Sequence, residues 1–163
     1  MSTIITVTTI MSMYMNLTTN VENSNYCYNA DIEDGKVKAM VVYDKDGESL
    51  CAKLKRLYTY DEQGRLVKRE TLAWNNAKQT WTKNSCLCYN YNAEGYTVEK
   101  RLWDDNKNDY ASAKEYSSYT IVMDNVMAVN NYKYDKDSGD YKMTDRLLML
   151  TTFADRLMAM EQQ

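Results

Sequence analysis

One kind of short segment recurs along this chain at nearly constant spacing. It consists of an aromatic residue, six mostly polar residues and then a large apolar or aromatic residue. The copies start at positions 43, 74, 103 and 134, which are 31, 29 and 31 residues apart. Such a period constrains the fold more strongly than any single residue does. The four copies are Tyr43-DKDGES-Leu50, Trp74-NNAKQT-Trp81, Trp103-DDNKND-Tyr110 and Tyr134-DKDSGD-Tyr141.

A second kind of corner falls between these copies. Its members are Tyr60-DEQG-Arg65 and Tyr91-NAEG-Tyr96, with a weaker version at Val122-MDN-Val126 and an early one at Tyr28-NADIEDG-Lys36. All five glycines lie inside corners of the two kinds, where a positive φ is needed and Gly costs least.

The segments between corners are rich in Tyr, Thr, Val and Trp, which favour strands. Short corners between successive strands require antiparallel neighbours. We therefore predict an all-β fold, an antiparallel up-and-down meander of about eight long hairpin strands with a ~31-residue repeat. A curved open sheet is favoured over a closed barrel, because Lys68 and Glu70 share a strand face with Leu72 and Trp74. The predicted strands are 36–43, 50–60, 65–74, 81–91, 96–103, 110–121, 126–134 and 141–150.

The composition narrows the functional classes. The chain has 163 residues, enough for one domain, and its 20 basic and 23 acidic side chains give a net charge of −3. This balance argues against binding to nucleic acid or to an anionic membrane surface. The chain has no histidine, which excludes histidine-based catalysis and His-ligated zinc. Because aliphatic residues are few and there are 15 tyrosines, we expect a core built largely from tyrosine rings.

The N-terminal segment differs from the rest of the chain. Residues 1–20 carry no charged side chain, and their length and polar end fit a secretory signal that lacks its basic start. The alternative is an extra Thr-rich strand. Thr, Ser and Asn interrupt every long apolar run, so no membrane span is expected. We divide the chain into a signal-like or extra N-terminal segment (1–25), a β-hairpin repeat domain (26–150) and a C-terminal tail (151–163), which is either a short helix or a frayed strand.

The predicted strand register indicates whether the cysteines can form disulfides. Counting residues straight across the corners places Cys51 beside Trp74 and near Trp81, whereas Cys86 lies five residues further along its strand. That separation is roughly 17 Å at the rise of a strand, too far for a disulfide. Cys88 points the same way as Cys86. Four free thiols are therefore predicted.

The corners also carry a family resemblance. YDEQGRL at 60–66 resembles the YD-repeat motif of large bacterial hairpin-repeat proteins. The run NYCYNADIEDGKV…VVYDKDGESL…YTYDEQGRLVKRETLAWNNAKQTW…VEKRLWDDNKNDY is similar to a family of small exported Bacteroidetes proteins, domain of unknown function 3836. The resemblance covers residues 25–145. It implies an exported or periplasmic β-repeat protein, and it supplies no activity and no functional residues.

Acidic corners are the candidates for metal binding and catalysis. They lack the twelve-residue calcium loop with its terminal Glu, and Asp and Asn favour hairpin turns for their own backbone hydrogen bonds. Glu70 and Glu99 lie inside predicted strands with nothing to mark a cleft. We expect no catalytic residue, no metal and no cofactor. The acidic corner residues are Asp44, Asp46, Glu48, Asp104, Asp105, Asp109, Asp135, Asp137 and Asp140.

The aromatic corners are the candidate binding residues. Flat rings in a row suit a sugar or an extended peptide, but cross-strand pairing that closes each hairpin is the first interpretation. The prediction is a non-catalytic exported binding or interaction module at the cell envelope, with a protein or glycan partner. The alternative is a structural protein that self-assembles into a homo-oligomer through exposed strand edges. The candidate pairs are Trp74 with Trp81, Trp103 with Tyr110, and Tyr134 with Tyr141.

Overall fold

The computed structural model describes residues 4–19, 24–123 and 125–150. The predicted tail, 151–163, lies outside the described residues. Within the described ranges a helix precedes ten strands. Their bounds are α1 (Val7–Thr19), β1 (Tyr26–Glu33), β2 (Lys36–Asp46), β3 (Ser49–Tyr60), β4 (Leu66–Asn75), β5 (Thr80–Tyr91), β6 (Gly95–Asp104), β7 (Asp109–Tyr110), β8 (Glu115–Met123), β9 (Val126–Asp135) and β10 (Asp140–Leu150).

The strands form one sheet in which neighbours in sequence pair with each other. Its order is β1-β2-β3-β4-β5-β6-β8-β9-β10, with the two-residue β7 beside β6. The registers of β1 to β4, of β6 with β7 and β8, and of β8 to β10 are antiparallel. The predicted all-β antiparallel meander is confirmed. The sheet is open, because β1 and β10 lie at the two ends of the strand order.

The strand count exceeds the predicted eight for two local reasons. Residues 28–33, expected inside a corner, belong to β1, because the turn is only Asp34 and Gly35 with φ of 49° and 71°. Asp-Gly is a strong signal for a two-residue hairpin turn. The predicted strand 110–121 is also divided, since residues 111–114 separate β7 from β8. In this gap the Lys114 carbonyl accepts a hydrogen bond from the Tyr134 backbone N–H at 2.7 Å.

The N-terminal segment contains a helix, so a Thr-rich strand is wrong for residues 7–19. Thr6 caps α1, because its N–H donates to Thr9 Oγ1 at 3.1 Å while Thr9 N–H donates back to Thr6 Oγ1 at 3.4 Å. This reciprocal pair resembles a capping box. Ile10 and Met13 are almost fully buried, and α1 lies against β1 and β2. Among the described residues no helix has the length and hydropathy to cross a membrane.

A β-bulge changes the register that the corners predict. The ladder of β3 and β4 shifts between Thr59 and Tyr60, so Leu54 pairs with Ala73. Cys51 therefore does not lie opposite Trp74; it pairs with Asp44 of β2 on its other side. The extra residue of the bulge moves every later partner along the strand. None of the four cysteines, all of which the structure describes, forms a disulfide, as predicted.

The described chain divides into two compact units, each considered by itself. The helix unit comprises Ile5–Cys86 and Leu102–Tyr110, and the tyrosine unit contains Leu87–Arg101 and the described chain from Ala111 onward. The fully buried side chains of the helix unit are mainly aliphatic, so the expected tyrosine core is wrong there. They are Ile10, Met13, Val37, Met40, Leu66 and Cys86.

The tyrosine unit is closer to the expected core of tyrosine rings. Tyr89, Tyr96 and Tyr119 are buried in it beside Val98 and Val129. The rings of Tyr96 and Tyr119 stack with centroids 4.6 Å apart and planes 6° from parallel. Such stacking contributes about 0.5–1.5 kcal/mol beyond the area buried.

Candidate functional site

The three candidate aromatic pairs share one geometry. Trp74 and Trp81 meet edge to face with centroids 5.0 Å apart and planes at 65°. The values for Trp103 with Tyr110 are 5.1 Å and 77°, and for Tyr134 with Tyr141 they are 5.4 Å and 70°. The latter two pairs are direct cross-strand partners. The expected pairing of rings across the corners is therefore present.

Each pair closes a four-residue loop that is held by an Asn or Asp at the end of the preceding strand. The Asn75 side-chain oxygen accepts the Lys78 backbone N–H at 3.0 Å. Asp104 accepts from the backbone N–H of Asn106, two residues on, at 3.1 Å. In the third loop Asp135 accepts from Asp137 N–H at 3.0 Å. The last loop residue has positive φ in all three loops, at Gln79, Asn108 and Gly139. The Asx side chain and this left-handed residue together bring the two rings face to edge.

The first copy of the pattern behaves differently. Between Tyr43 and Leu50 the turn is only Gly47 and Glu48, because β2 runs to Asp46 and β3 begins at Ser49. Leu50 pairs with Lys45 and is 57% exposed. The expectation that this corner matches the other three is wrong. Gly47, with φ of 60°, permits a shorter turn.

The Trp103–Tyr110 pair contacts three charged residues on β4 and β5, all within the helix unit. The Tyr110 hydroxyl donates to Glu70 Oε1 at 3.0 Å, and Lys68 Nζ lies 3.2 Å from the same carboxylate oxygen. Lys68 Nζ is also 5.1 Å from the centre of the Tyr110 ring. Lys83 Nζ lies 4.5 Å from the centre of the Trp103 ring and 5.8 Å from that of Tyr110. We call these five residues, Lys68, Glu70, Lys83, Trp103 and Tyr110, the lysine–aromatic cluster.

The Trp74–Trp81 pair extends this cluster along one face of the sheet. Alternate strand residues point to the same face, so Trp74 shares a face with Glu70, and Trp81 shares a face with Lys83. Both tryptophans are half-buried. The result is a row of partly exposed rings with lysine ammonium groups beside them. Such a surface binds by ring stacking, by cation–π contact and by ion pairing.

The Tyr134–Tyr141 pair belongs to the tyrosine unit and has a packing role. The Tyr141 hydroxyl donates to the Ala113 carbonyl at 2.6 Å, and its ring contacts Tyr116 at 5.1 Å. Tyr116 stacks on Tyr132 at 4.6 Å. Partial burial, followed by the nearby Tyr132, raises the pKa of Tyr116. These contacts engage Tyr141 in internal packing, while the Tyr134 ring is 41% exposed.

Several of the acidic corner residues are engaged in turns and ion pairs. Asp44 pairs with Lys53 at 3.3 Å, and Asp135 pairs with Lys142. The side-chain hydrogen bond from Lys142, followed by the Asp137 backbone N–H, lowers the pKa of Asp135. Glu99 forms an ion pair with Arg101 at 2.7 Å. In the described parts of the chain no three Cys, Asp or Glu side chains are grouped as a metal site requires.

Sequence reasoning missed the two lysines of the cluster. The signal was present, because Lys68, Glu70 and Trp74 alternate along one strand and Trp81 and Lys83 alternate along the next. What could not be foreseen is that the Trp103–Tyr110 hairpin contacts β4 and β5. That contact depends on the short β7 and the gap that follows it.

Comparison with known proteins identifies relatives of unknown function. The model of a family of unknown function, DUF3836, matches residues 1–124. A crystal structure of a protein with unknown function from Bacteroides fragilis has a TM-score of 0.66 and 20% identity, covering 78% of this chain and 94% of its own. No curated protein matches the chain.

Two DUF3836 family proteins of solved structure are also similar. The one from Bacteroides vulgatus has a TM-score of 0.42 and 20% identity, covering 77% of this chain and 99% of its own. The one from Parabacteroides distasonis has a TM-score of 0.40 and 15% identity, covering 77% and 89%.

Proposed function

Because the chain belongs to DUF3836, a family of unknown function, we propose from its own geometry that it is a non-catalytic binding module of the cell envelope. The observation that carries the proposal is the row of half-buried rings on β4 to β7. Trp74, Trp81 and Trp103 all lie in the helix unit and keep part of their surface in solvent. Aromatic side chains offer large contact area with little entropy to lose.

The chemistry of the side chains supports a role without catalysis. The chain has no histidine, so it lacks the usual general base at neutral pH. Glu70, the carboxylate of the lysine–aromatic cluster, already accepts from Tyr110 and pairs with Lys68. Its carboxylate is therefore engaged in two internal contacts.

The envelope location is supported by the length and polar end of residues 1–20, which fit a secretory signal that lacks its basic start, and by what the family resemblance implies. Mass spectrometry of the N-terminus, on protein recovered from fractions of its own host, tests this part. Recovery from an envelope fraction supports this location, and a chain that begins near Tyr26 would show cleavage with loss of α1, whose Ile10 and Met13 are buried. Recovery from the cytosol with residues 4–19 retained contradicts it.

Binding is tested on arrays of glycans and of purified envelope proteins. We expect specific ligands that are lost in Trp103→Ala and retained in Tyr134→Ala, which removes an aromatic corner residue of the tyrosine unit. A ligand that binds both variants equally contradicts the site. Arrays without any ligand contradict the binding function.

A second candidate function, self-assembly, is favoured by β10. This strand ends the strand order, and Leu147, Leu148 and Leu150 are 50%, 66% and 80% exposed. Two copies can pair antiparallel through β10. If the pairing is centred between Asp145 and Arg146, Asp145 of one copy lies opposite Arg146 of the other. Asp145 and Arg146 form no ion pair within the described residues. The bulge at Thr144 works against long edge pairing, so this function ranks second.

Light scattering of charge variants separates this function from binding. If β10 pairs with itself, the protein dimerises with rising concentration and Arg146→Asp weakens the dimer. The exchange Asp145→Arg with Arg146→Asp then restores it. A monomer at every concentration contradicts self-assembly through this edge.

A further inference from the structure

Lys83 has a setting that differs from those of Lys53 and Lys68, two lysines that also lie over aromatic rings. Its ammonium lies 4.5 Å from the centre of the Trp103 ring and 5.8 Å from that of Tyr110. Because these rings are at 77° to each other, they form two walls beside one cation. Contact with both rings restricts a side chain that otherwise carries about 2 kcal/mol of rotamer entropy.

Lys53 and Lys68, which also lie over rings, have carboxylate partners. Lys53 lies 4.6 Å from the centre of the Tyr26 ring and 3.3 Å from Asp44 Oδ2. Lys68 lies over Tyr110 and 3.2 Å from Glu70 Oε1. In the described part of the chain Lys83 has no carboxylate within 4.0 Å. It is an exposed, positioned positive charge that lacks a counter-ion.

The carboxylates near Lys83 are engaged elsewhere. Glu70 interacts with Lys68 and with the Tyr110 hydroxyl. Asp105 accepts the indole N–H of Trp103 at 3.0 Å. An ionised donor with a free position forms its strongest hydrogen bonds with an anion. The Lys83 ammonium therefore favours a ligand that carries a negatively charged group.

The strand order argues for a saccharide over an extended peptide. β4 lies between β3 and β5, and β5 lies between β4 and β6. Their backbone groups are therefore committed to ladders, and β7, which pairs with β6 and carries Tyr110, is two residues long, too short for an added strand of peptide to pair with. What the face offers is flat rings and ammonium groups. A pyranose can stack its C–H face on an indole while its acidic substituent reaches a lysine.

We propose that the lysine–aromatic cluster binds an anionic saccharide, a pyranose chain that carries carboxylate or sulfate groups. This inference rests on the proposed binding function and specifies its ligand class. The sugar ring stacks beside Trp103, and its anionic group pairs with Lys83. Ion pairing with a lysine already held by two rings costs less ordering entropy than pairing with a free one.

The test uses defined probes and matched variants. Isothermal titration calorimetry compares a galacturonic acid tetrasaccharide with a neutral galactose tetrasaccharide, a sulfated galactose tetrasaccharide and tetraglutamate. The proteins are wild type, Lys83→Gln, Trp103→Ala, Trp103→Tyr and Lys53→Gln. Lys53→Gln removes the same charge from a lysine that lies over a ring but has its own carboxylate. Circular dichroism checks that each variant is folded, and Trp103→Tyr keeps a ring if Trp103→Ala does not fold.

The expected result is that at least one anionic tetrasaccharide binds tenfold or more tightly than the neutral one. Lys83→Gln removes that preference, Lys53→Gln retains it, and Trp103→Tyr weakens binding of both kinds of sugar. Equal binding of tetraglutamate overturns the saccharide class. Equal binding of the neutral sugar, or failure of all these sugars, overturns the anionic ligand. The binding function itself falls only if the arrays described above also yield no ligand that depends on Trp103.

Discussion

Gly95 lies directly against the backbone carbonyl of Tyr119. A Cβ built on Gly95 would be 3.0 Å from the Tyr119 carbonyl carbon and would overlap its oxygen. The two residues belong to the paired strands β6 and β8, where Gly95 is opposite Thr120. A side chain at position 95 therefore requires the two strands to move apart.

We expect Gly95→Ala to destabilise the protein by about 3 kcal/mol or more, since overpacking against backbone cannot be relieved by a rotamer change. Gly35→Ala is the matched control. Position 35 also has a positive φ, but a Cβ there has nothing within 4 Å, so about 1 kcal/mol is expected. Urea unfolding measures both, and equal losses would contradict the close approach.

Ile10→Ala should cost about 2–5 kcal/mol, because it empties a buried position between α1 and the sheet. Met15→Ala on the same helix should change the free energy of unfolding by less than about 0.5 kcal/mol, since Met15 is 59% exposed. Chemical unfolding monitored by circular dichroism compares them. If the two variants unfold at the same urea concentration, α1 does not pack on the sheet in solution.

Alkaline pH should destabilise the protein partly through Tyr60. Burial, followed by the nearby Tyr58, raises the pKa of Tyr60, whose hydroxyl donates to the Val37 carbonyl at 2.9 Å. The folded state thus retains a proton that the unfolded state releases near pH 10. Its contribution is complete below pH 10 and is lost as pH rises toward the folded pKa.

Urea unfolding midpoints measured between pH 8 and 11 show how much stability is lost as the pH rises. Tyr60→Phe should lower stability at pH 8 by about 1 kcal/mol through the lost hydrogen bond and should flatten the decline above pH 10. Tyr134→Phe, at an exposed ring, serves as control. An unchanged alkaline slope in Tyr60→Phe would be inconsistent with the burial of its hydroxyl.

At acid pH the protein should be destabilised through Asp135, whose pKa is shifted in the direction opposite to that of Tyr60. The Lys142 hydrogen bond, followed by that from the Asp137 backbone, lowers the pKa of this carboxyl. Its contribution is present above the unfolded pKa and disappears as pH falls through the folded one. Asp135→Asn should therefore reduce the acid sensitivity of unfolding between pH 5 and 2, whereas Asp137→Asn should leave it intact. Melting temperatures of both variants and of the wild type, measured across that pH range, test this difference; equal acid sensitivity of the two variants would contradict the role of Asp135.

The sequence predicted the meander because its turn chemistry is local. Asp61 accepts backbone N–H groups from Gln63 and Arg65, and Asn92 accepts from Glu94 and Gly95. These Asx turns need only neighbouring residues, so a pattern of Asp, Asn and Gly is enough to place them. The Asp34–Gly35 turn is equally evident in the sequence, but the prediction placed it inside the longer corner between Tyr28 and Lys36.

Other features depend on contacts between distant residues. The bulge beside Tyr60 has no marker in its own residues, and it displaced the expected neighbour of Cys51. Helix α1 contains four threonines, which have low helix propensity, and it is stabilised by packing of Ile10 and Met13. Its one local signal is the Thr6–Thr9 cap. At the candidate site the ring pairs were predictable from the corners, whereas the contact of Lys83 with both Trp103 and Tyr110 was not.

The loops between paired rings have a consequence for engineering. In the loop after Trp74, the Asn75 side chain and the positive φ of Gln79 fix the backbone, while residues 76–79 are exposed. The same holds after Trp103, where Asp104 and Asn108 fix the backbone of residues 105–108. We expect the remaining loop positions to tolerate randomisation, apart from Asp105, which accepts the indole N–H of Trp103. This small sheet is therefore a display scaffold on which libraries of short variable segments can be selected for new targets.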